Sequence, residues 1–169
     1  ETLKFEDCTP VQAATMPHIL EGKDIAGLAQ TGTGKTAAFL LPLMERILRH
    51  RDLAHTEDEA LKKRAFPDWR SNQFVLVLVP TRELCEQVLE NAEKLLKYTP
   101  FKAVSIYGGT SYDKQKQALR DGVEFIIATP GRLIDLYKEH LLDFKQVRAV
   151  IFDEADRMFD MGFQDDMKF

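Results

Sequence analysis

The stretch Gln73-Phe74-Val75-Leu76-Val77-Leu78-Val79-Pro80-Thr81 decides the fold class. Its unbroken apolar run is typical of a strand that is buried on both faces, as in a parallel sheet. Residues 81–98 then repeat apolar side chains at helical spacing, and Thr81 is a suitable N-cap for that helix. A buried strand that leads directly into an amphipathic helix indicates an α/β fold.

Strand and helix patterns alternate on either side of this unit. The further predicted strands are residues 24–28, 102–106, 125–128 and 147–152, and the further predicted helices are residues 35–49, 112–120 and 132–138. The alternation predicts a mostly parallel β-sheet with helices on both faces. Such sheets bind ligands at the carboxyl ends of their strands, so the residues that follow each strand form the candidate site.

The composition is that of one soluble globular domain, with 169 residues, of which 44% are hydrophobic and 30% are charged. The net charge of -4 gives no general attraction for nucleic acid, so any such site must be local. Cys8 and Cys85 form no C-x-x-C pair, which argues against zinc and favours a reducing cytoplasm. No apolar run approaches the roughly 20 residues of a membrane helix.

Residues 50–72 interrupt the alternation with a long, highly charged connection. They predict a solvated surface insertion with a helical turn near residues 58–64, because runs of charge usually face water. A contact with RNA or a partner through Lys62, Lys63, Arg64 and Trp69 is the alternative.

A phosphate loop is predicted where the first strand pattern meets the first long helix. The sequence there is Ala29-Gln30-Thr31-Gly32-Thr33-Gly34-Lys35-Thr36. It matches G-x-x-x-x-G-K-[ST], with Ala29 in place of the first glycine. The two later glycines let backbone N–H groups face phosphate oxygens, and Lys35 can reach the β- and γ-phosphates. The Thr36 hydroxyl stands where such loops hold Mg²⁺.

An acidic sequence, Asp153-Glu154-Ala155-Asp156, follows the last predicted strand. In a nucleotide hydrolase such an Asp anchors Mg²⁺, and the adjacent Glu polarises the attacking water. Together with the phosphate loop, this sequence predicts Lys35, Asp153 and Glu154 as catalytic residues, with Thr36 and Asp153 as the metal ligands.

With these motifs the chain resembles the DEAD-box RNA helicases, in their first RecA-like domain. The matching sequences are Thr9-Pro10-Val11-Gln12 (Q motif), Thr31-Gly32-Thr33-Gly34-Lys35-Thr36 (motif I), Pro80-Thr81-Arg82-Glu83-Leu84 (motif Ia), Gly108-Gly109 (GG element), Thr129-Pro130-Gly131-Arg132 (motif Ib) and Asp153 to Asp156. Cys85 stands where the family more often has alanine, and Lys4 stands where glycine is usual before Phe5.

The resemblance implies an ATP-dependent RNA helicase with ATP and Mg²⁺ as cofactors, in which Gln12 reads the adenine edge. It implies that single-stranded or duplex RNA is bound through its backbone by Pro80, Thr81, Arg82, Gly108, Gly109, Thr129, Pro130, Gly131 and Arg132. Contacts of this kind carry no base sequence.

The resemblance also bears on domain organisation. We expect residues 1–169 to form an incomplete first domain that needs a second RecA-like domain of the same protein to unwind RNA. A closer likeness within the family, around Tyr107 and after Asp153, implies RNA-degradation machinery as a further partner. No membrane partner is expected.

Two other classes of protein stay open at this point. A P-loop ATPase that acts on protein or DNA would share the phosphate loop and Asp153-Glu154, although the Q motif and motif Ib disfavour it. A non-catalytic RNA-binding module is the second class, and the intact Lys35, Thr36 and acidic pair disfavour that one.

Some candidate residues also allow a purely structural interpretation. Arg82 could form an ordinary surface ion pair with Glu86. The two cysteines are expected to be packing residues rather than nucleophiles. Core packing below the acidic motif is the expected role of Met158, Phe159, Met161 and Phe163.

Overall fold

The computed structural model describes residues 7–30, 32–52 and 57–163. In chain order the elements are α1 (Pro10–Leu20), α2 (Lys35–Asp52), α3 (Glu59–Arg64), β1 (Phe74–Leu78), α4 (Arg82–Leu96), β2 (Ala103–Ile106), α5 (Tyr112–Asp121), β3 (Phe125–Ala128), α6 (Pro130–Lys138), a 3-10 turn (Phe144–Gln146), β4 (Val147–Phe152) and α7 (Ala155–Asp160). The chain divides into two compact units, Glu1–Trp69 and Arg70–Phe169.

The N-terminal unit is helical. A capping box opens α1, because the Thr9 side chain accepts from the backbone of Gln12 while the Gln12 side chain accepts from the backbone of Thr9. Helices α1 and α2 pack together, and Arg46 of α2 donates to the carbonyl oxygen of Ile19 across 3.4 Å. The unit therefore joins the Q-motif helix to the helix that follows the phosphate loop.

Part of the segment 50–72 is packed into this unit. Residues 59–64 form α3, and the Ala65 and Phe66 side chains that follow it are buried. The Arg46 guanidinium lies 4.2 Å from the centroid of the Phe66 ring, and the Trp69 ring lies 5.5 Å from it. Lys62 instead faces solvent and pairs with Glu59 of its own helix. The segment thus has a charged outer face, while its Phe66 ring packs against Trp69 and against Arg46 of α2.

The C-terminal unit contains a four-stranded sheet in the order β2-β3-β1-β4, and all of its strand pairs are parallel. Leu78 at the end of β1 lies opposite both Ala128 of β3 and Phe152 of β4, and Ala128 lies opposite Ile106 of β2. The four strands therefore end level with one another. This arrangement confirms the predicted parallel α/β sheet, and it brings the four following loops to one edge.

Helices cover both faces of the sheet. Strand β1 is buried along its whole length, as its apolar run predicts. On one face, Leu133 and Leu136 of α6 and Met158 of α7 form the core with Ile126. The opposite face is covered by α4, because the crossover from β1 to β2 runs in the other direction from those that carry α5 and α6.

The predicted strand at residues 24–28 is wrong, since residues 23–30 have no regular secondary structure. Ile25 and Leu28 are exposed. A strand needs a hydrogen-bonded neighbour, and no backbone ladder involves these residues in the part of the chain that the structure describes. Helices α1 and α7 and the 3-10 turn were not predicted. None of the described helices is both long and apolar enough to span a membrane.

Candidate functional site

The phosphate-loop sequence forms a tight turn before α2. Gly32 and Gly34 both have a φ of 82°, in the left-handed region that favours glycine. No atom of the described residues lies within 4 Å of a Cβ added at Gly32. The Thr33 hydroxyl closes the turn by donating to the carbonyl oxygen of Gln30 across 2.6 Å. Thr31, also assigned to this loop, lies outside the described residues.

Lys35 is the first residue of α2, and Thr36 is the second. The N–H groups of a first helical turn have no partner within their helix, and the helix dipole makes this end attractive to anions. Lys35, Thr36 and Ala29 are all partly buried. A glycine turn that leads into a helix start is an arrangement suited to a phosphate group.

Gln12 connects the Q motif to the phosphate loop. Its side-chain oxygen accepts from the backbone N–H of Thr9 at 3.0 Å, and its nitrogen donates to the carbonyl oxygen of Gly34 at 3.2 Å. The side chain is only 5% exposed. A Cβ at Gly34 would collide with the Gln12 amide, so both the φ and the packing require glycine there. The donor and the acceptor of the carboxamide are therefore both engaged within the protein.

The acidic motif extends the sheet before it turns away. The backbone N–H of Asp153 donates to the carbonyl oxygen of Leu78 at 2.9 Å, which continues the β1–β4 ladder. Glu154 then takes a φ of 55° and a ψ of 49°, a left-handed conformation that is rare for a residue with a side chain. Its carboxylate lies 3.5 Å from the Arg157 guanidinium. Backbone strain of this kind tends to cluster at functional sites.

The donor chemistry of Asp153 fits a magnesium ion. Mg²⁺ is usually bound by one or two carboxylates together with substrate phosphates and water. Across residues 7–30, 32–52 and 57–163, no three His, Cys, Asp or Glu side chains form a group that could hold a metal ion. The carboxylate of Asp153 and the hydroxyl of Thr36, the two expected ligands, are each hard oxygen donors of the kind that Mg²⁺ prefers.

The three expected RNA motifs follow neighbouring strands. Along the edge of the sheet, residues 108–109 follow β2, residues 129–132 follow β3 and residues 80–82 follow β1, with the acidic motif next after β4. Because the strands end level, these loops form one continuous row. The row contains every predicted site residue of the C-terminal unit.

Arg82 of motif Ia is held by two neighbours. It pairs with Glu86 across 3.4 Å, as expected from their spacing, and its guanidinium lies 5.0 Å from the centroid of the Tyr107 ring. The Tyr107 hydroxyl donates to Glu86 at 2.6 Å. That bond is the main cause of a lowered pKa at Glu86 and a raised pKa at Tyr107. Arg82 itself is exposed, beyond the mostly buried Pro80 and the partly buried N-cap Thr81.

The GG element is an exposed turn with a buried support. Gly109 has a φ of 86°, and both Gly108 and Gly109 are exposed. The buried Gln115 amide donates to the Tyr107 carbonyl oxygen at 3.1 Å and to the Thr110 hydroxyl. These bonds hold both ends of the turn, so its backbone is presented to solvent in a fixed shape.

Motif Ib begins α6. The Thr129 backbone N–H donates to the Ile106 carbonyl oxygen at 2.9 Å, which fixes the start of this loop to β2. Pro130 is buried at the first helical position, and Gly131 is exposed. The Arg132 guanidinium lies 4.6 Å from the centroid of the Tyr112 ring. The motif therefore offers a hydroxyl, free helix-start N–H groups and a cation at one place.

The expectation that the cysteines and residues 158–163 serve only in packing is partly confirmed. Cys85 is fully buried, and burial raises the pKa of its thiol to about 12, whereas Cys8 is exposed, so packing explains only the first of them. Below the acidic motif, Met158 is buried and Phe163 packs against the same core. Phe159 and Met161 are about half exposed, so their predicted place in the core is wrong.

The sequence analysis did not predict several residues that support the site. They are Tyr107 with its partner Glu86, Tyr112 with its partner Glu139, and Gln115. Gln115 carried a usable signal, because it lies on the same face of α5 as Tyr112 and Leu119, where a polar side chain needs a buried partner. The others lie on different elements from the residues that they support, and single-element patterns do not reveal such pairs.

Comparison with known proteins agrees with this geometry. The DEAD/DEAH box helicase family model matches residues 9–169. The chain is 46% identical over 165 residues to the ATP-dependent RNA helicase RhlB of Vibrio parahaemolyticus, covering 98% of this chain and 35% of that protein. For RhlB of Actinobacillus succinogenes, the identity is 43% over 166 residues, with 98% and 37% covered. The chain thus spans about a third of the length of these curated relatives.

Solved structures show the same likeness. A hypothetical ATP-dependent RNA helicase from Sulfolobus tokodaii has a TM-score of 0.79 and 36% identity, over 98% of this chain and 42% of that one. The RNA-helicase Prp28 from Chaetomium thermophilum, bound to ADP, has a TM-score of 0.78 and 41% identity, over 97% and 37%.

Proposed function

The chain belongs to the DEAD/DEAH box helicase family, and from this membership we propose that it is the ATP-binding RecA-like domain of an ATP-dependent RNA helicase. The observation that carries the proposal is the row of loops at the level ends of β2, β3, β1 and β4. In that row, three loops suited to an RNA backbone lie beside the acidic motif suited to ATP chemistry.

ATP is bound first through its phosphates. The N–H groups of the glycine turn and the start of α2 donate to phosphate oxygens, and the Lys35 ammonium group neutralises the β- and γ-phosphates. Gln12 reads the adenine edge, because a carboxamide can both donate to it and accept from it. To do so, Gln12 exchanges its bonds to Thr9 and Gly34 for bonds to the base.

Hydrolysis uses the acidic motif. Glu154 orients the attacking water and accepts its proton, while Lys35 stays beside the phosphate oxygens that gain negative charge. Thr36, by its place in the phosphate loop, and Asp153, by its place at the end of β4, are the proposed Mg²⁺ ligands. When bound, Mg²⁺ supplies positive charge that stabilises the transferring phosphoryl group.

RNA is bound by its backbone along the same row. Arg82 and Arg132 neutralise phosphates, and Arg82 exchanges its pairing with Glu86 for a phosphate. The exposed Gly108 and Gly109 allow the strand to approach the protein backbone closely. The Thr129 hydroxyl accepts from or donates to a ribose 2′-OH, the group that distinguishes RNA from DNA.

The remaining parts of the proposal concern the whole protein, since the chain spans about a third of its relatives' length. A second RecA-like domain supplies the other half of the RNA groove and is required for unwinding short duplexes. The protein works in the cytoplasm, and RNA-degradation machinery is a further partner, as the resemblance around Tyr107 and after Asp153 implies.

Binding of single strands tests the RNA site directly. Each neutralised phosphate contributes about -0.7 to the slope of log K against log salt, so this small site predicts a slope of about -1 to -3. We expect the whole protein that carries this chain to bind ribonucleotide 20-mers of different sequence with similar Kd.

Arg132→Ala should weaken binding to all of these sequences alike, by about tenfold or more, because a charge-assisted bond to phosphate is lost. Arg120→Ala is the matched control, since Arg120 lies in the last turn of α5, at the opposite end from the GG element. A strong base preference, or equal effects of the two substitutions, would contradict the proposed site.

A further inference from the structure

Two cations lie against the ring of Tyr112, the first residue of α5. The Arg132 guanidinium carbon is 4.6 Å from the ring centroid, and the Lys116 ammonium nitrogen is 4.1 Å from it. Both distances are within the roughly 6 Å at which a cation is attracted by an aromatic face. Neither the nucleotide chemistry nor the proposed RNA contacts account for this arrangement.

Glu139, just after α6, fixes the same ring from its edge. The Tyr112 hydroxyl donates to one carboxylate oxygen at 2.5 Å, and Lys116 pairs with the other at 2.9 Å. The hydrogen bond to Glu139 is the main reason that the pKa of Tyr112 rises to about 12. The ring is therefore tied to two helices by a charged network.

The position of this network follows from the topology. Tyr112 and Lys116 are four residues apart on α5, and so share one face of that helix. Helix α5 starts directly after the GG element, and α6 starts at motif Ib. Strands β2 and β3 are neighbours, so the two helix starts meet at the edge of the sheet. The network thus joins two of the three RNA motifs.

Stacking on a ring suits an arginine that must bind phosphate. A carboxylate partner would occupy the in-plane N–H groups of the guanidinium, whereas an aromatic ring occupies only its face. Among the described residues, Arg132 makes no ion pair, in contrast to Arg82, which pairs with Glu86. Held in this way, the Arg132 side chain loses less conformational entropy when phosphate binds.

We infer that Tyr112 is a positioning residue for Arg132: its ring, held by Glu139 and Lys116, presents the guanidinium edge to an RNA phosphate. The inference rests on the proposed function, because it takes Arg132 as an RNA contact. Tyr112 itself acts through Arg132 and makes no contribution of its own to RNA affinity.

A double-mutant cycle on the whole protein tests this, with Kd for a uridine 20-mer as the readout. Arg132→Ala is expected to weaken binding by about 10- to 100-fold. Tyr112→Leu should weaken it by about two- to fivefold, the loss expected for a cation–π contact at a partly exposed site. In the Arg132→Ala background, Tyr112→Leu should cause no further loss.

Tyr137→Leu is the matched control. Tyr137 is also partly exposed and lies on α6, but its ring stacks on Phe144 at 4.5 Å rather than on an arginine. Its substitution should leave RNA affinity unchanged. Melting temperature and binding of a fluorescent ATP analogue show that each variant is folded.

Tyr112→Phe covers the case in which the leucine variant does not fold. It keeps the ring and loses only the bond to Glu139, so RNA affinity should stay within about twofold of the unsubstituted protein. The NMR signal of the Arg132 Nε–H group should keep its ring-current shift. An affinity loss as large as that of Arg132→Ala, or an Arg132 signal without a ring-current shift, would overturn the inference.

The outcomes separate this inference from the proposed function. If Arg132→Ala binds RNA normally, the proposed RNA site fails and the inference fails with it. If Arg132→Ala weakens binding and Tyr112→Leu does not, only the inference fails. Equal losses from Tyr112→Leu in both backgrounds would also overturn it, because Tyr112 would then act independently of Arg132.

Discussion

The side-chain nitrogen of Gln12 donates to the carbonyl oxygen of Gly34 across 3.2 Å, which joins the first helix to the phosphate loop. The two residues are 22 positions apart in the chain. The same Gln12 carboxamide accepts from the backbone N–H of Thr9, so it also belongs to the capping box of α1. A single amide therefore ties the Q motif to the loop that we propose binds phosphate.

Replacing Gln12 by alanine should weaken ATP binding by about tenfold, because the adenine edge loses the carboxamide that donates to it and accepts from it. Titration with a fluorescent ATP analogue measures the effect. Gln117→Ala is the control, since Gln117 is an exposed glutamine on α5 whose side chain donates to Asp121 of its own helix. The unsubstituted protein should also prefer ATP to GTP in competition, and equal competition by GTP would refute the adenine assignment.

Two substitutions of Glu154 should differ in their effect on stability but not in their effect on ATP hydrolysis. At a φ of 55°, a Cβ costs about 1 kcal/mol that glycine avoids. Glu154→Gly should therefore be more stable than Glu154→Ala by about 1 kcal/mol, although both lack the carboxylate and should hydrolyse ATP very slowly. Urea unfolding of the two variants measures the difference, and an alanine variant as stable as the glycine variant would contradict the strained geometry.

The two glycines of the GG element should respond differently to alanine. Gly109 has a φ of 86°, so Gly109→Ala should cost about 1–2 kcal/mol of unfolding free energy and reshape the turn beside Arg82. At Gly108 an added Cβ meets no atom within 4 Å in the part of the chain that the structure describes, and φ is not left-handed, so Gly108→Ala is the matched control for stability. Thermal melts of both variants check this, and comparable destabilisation would exclude the φ explanation.

Because its thiol is buried, Cys85 should make the protein less stable at high pH. Burial raises the pKa of its thiol from 9.0 to about 12, so the folded chain keeps a proton that the unfolded chain releases near pH 9. Its contribution is complete below pH 9 and declines as the pH rises towards 12. The unfolding free energy of the unsubstituted protein should thus fall more steeply between pH 9 and about 10.5, roughly half of that window, than that of Cys85→Ala. Parallel profiles would show that Cys85 does not titrate as described.

The sequence predicts the central elements of the fold because their signals are local. The apolar run of β1 predicts a strand buried on both faces, and the strand is buried along its length. Thr81 is the N-cap of α4, as predicted. The helix from Pro10 was missed even though Thr9 and Gln12 form a capping box, because its residues lack a clear apolar stripe and include Pro17. The strand at residues 24–28 was predicted from apolar content alone, which does not provide a hydrogen-bonded neighbour.

The motif residues could be predicted from the sequence, but the contacts that hold their side chains could not. Arg132 lies against Tyr112 because β2 and β3 are neighbours in the sheet, and Arg82 lies against Tyr107 because α4 packs against β2 as it crosses back from β1. Crossover order cannot be inferred from the periodicity of single elements. The supports of the site, Gln115 among them, therefore emerged only with the structure.

RNA-stimulated ATP turnover by the whole protein tests the central claim most directly. We expect poly-U RNA to raise the turnover rate, poly-dU DNA of equal length to raise it much less, and Lys35→Ala and Glu154→Gln to abolish the response. In Glu154→Gln, ATP binding should persist, since this substitution removes only the proton acceptor. Equal stimulation by RNA and DNA, or near-normal turnover in Glu154→Gln, would contradict the account.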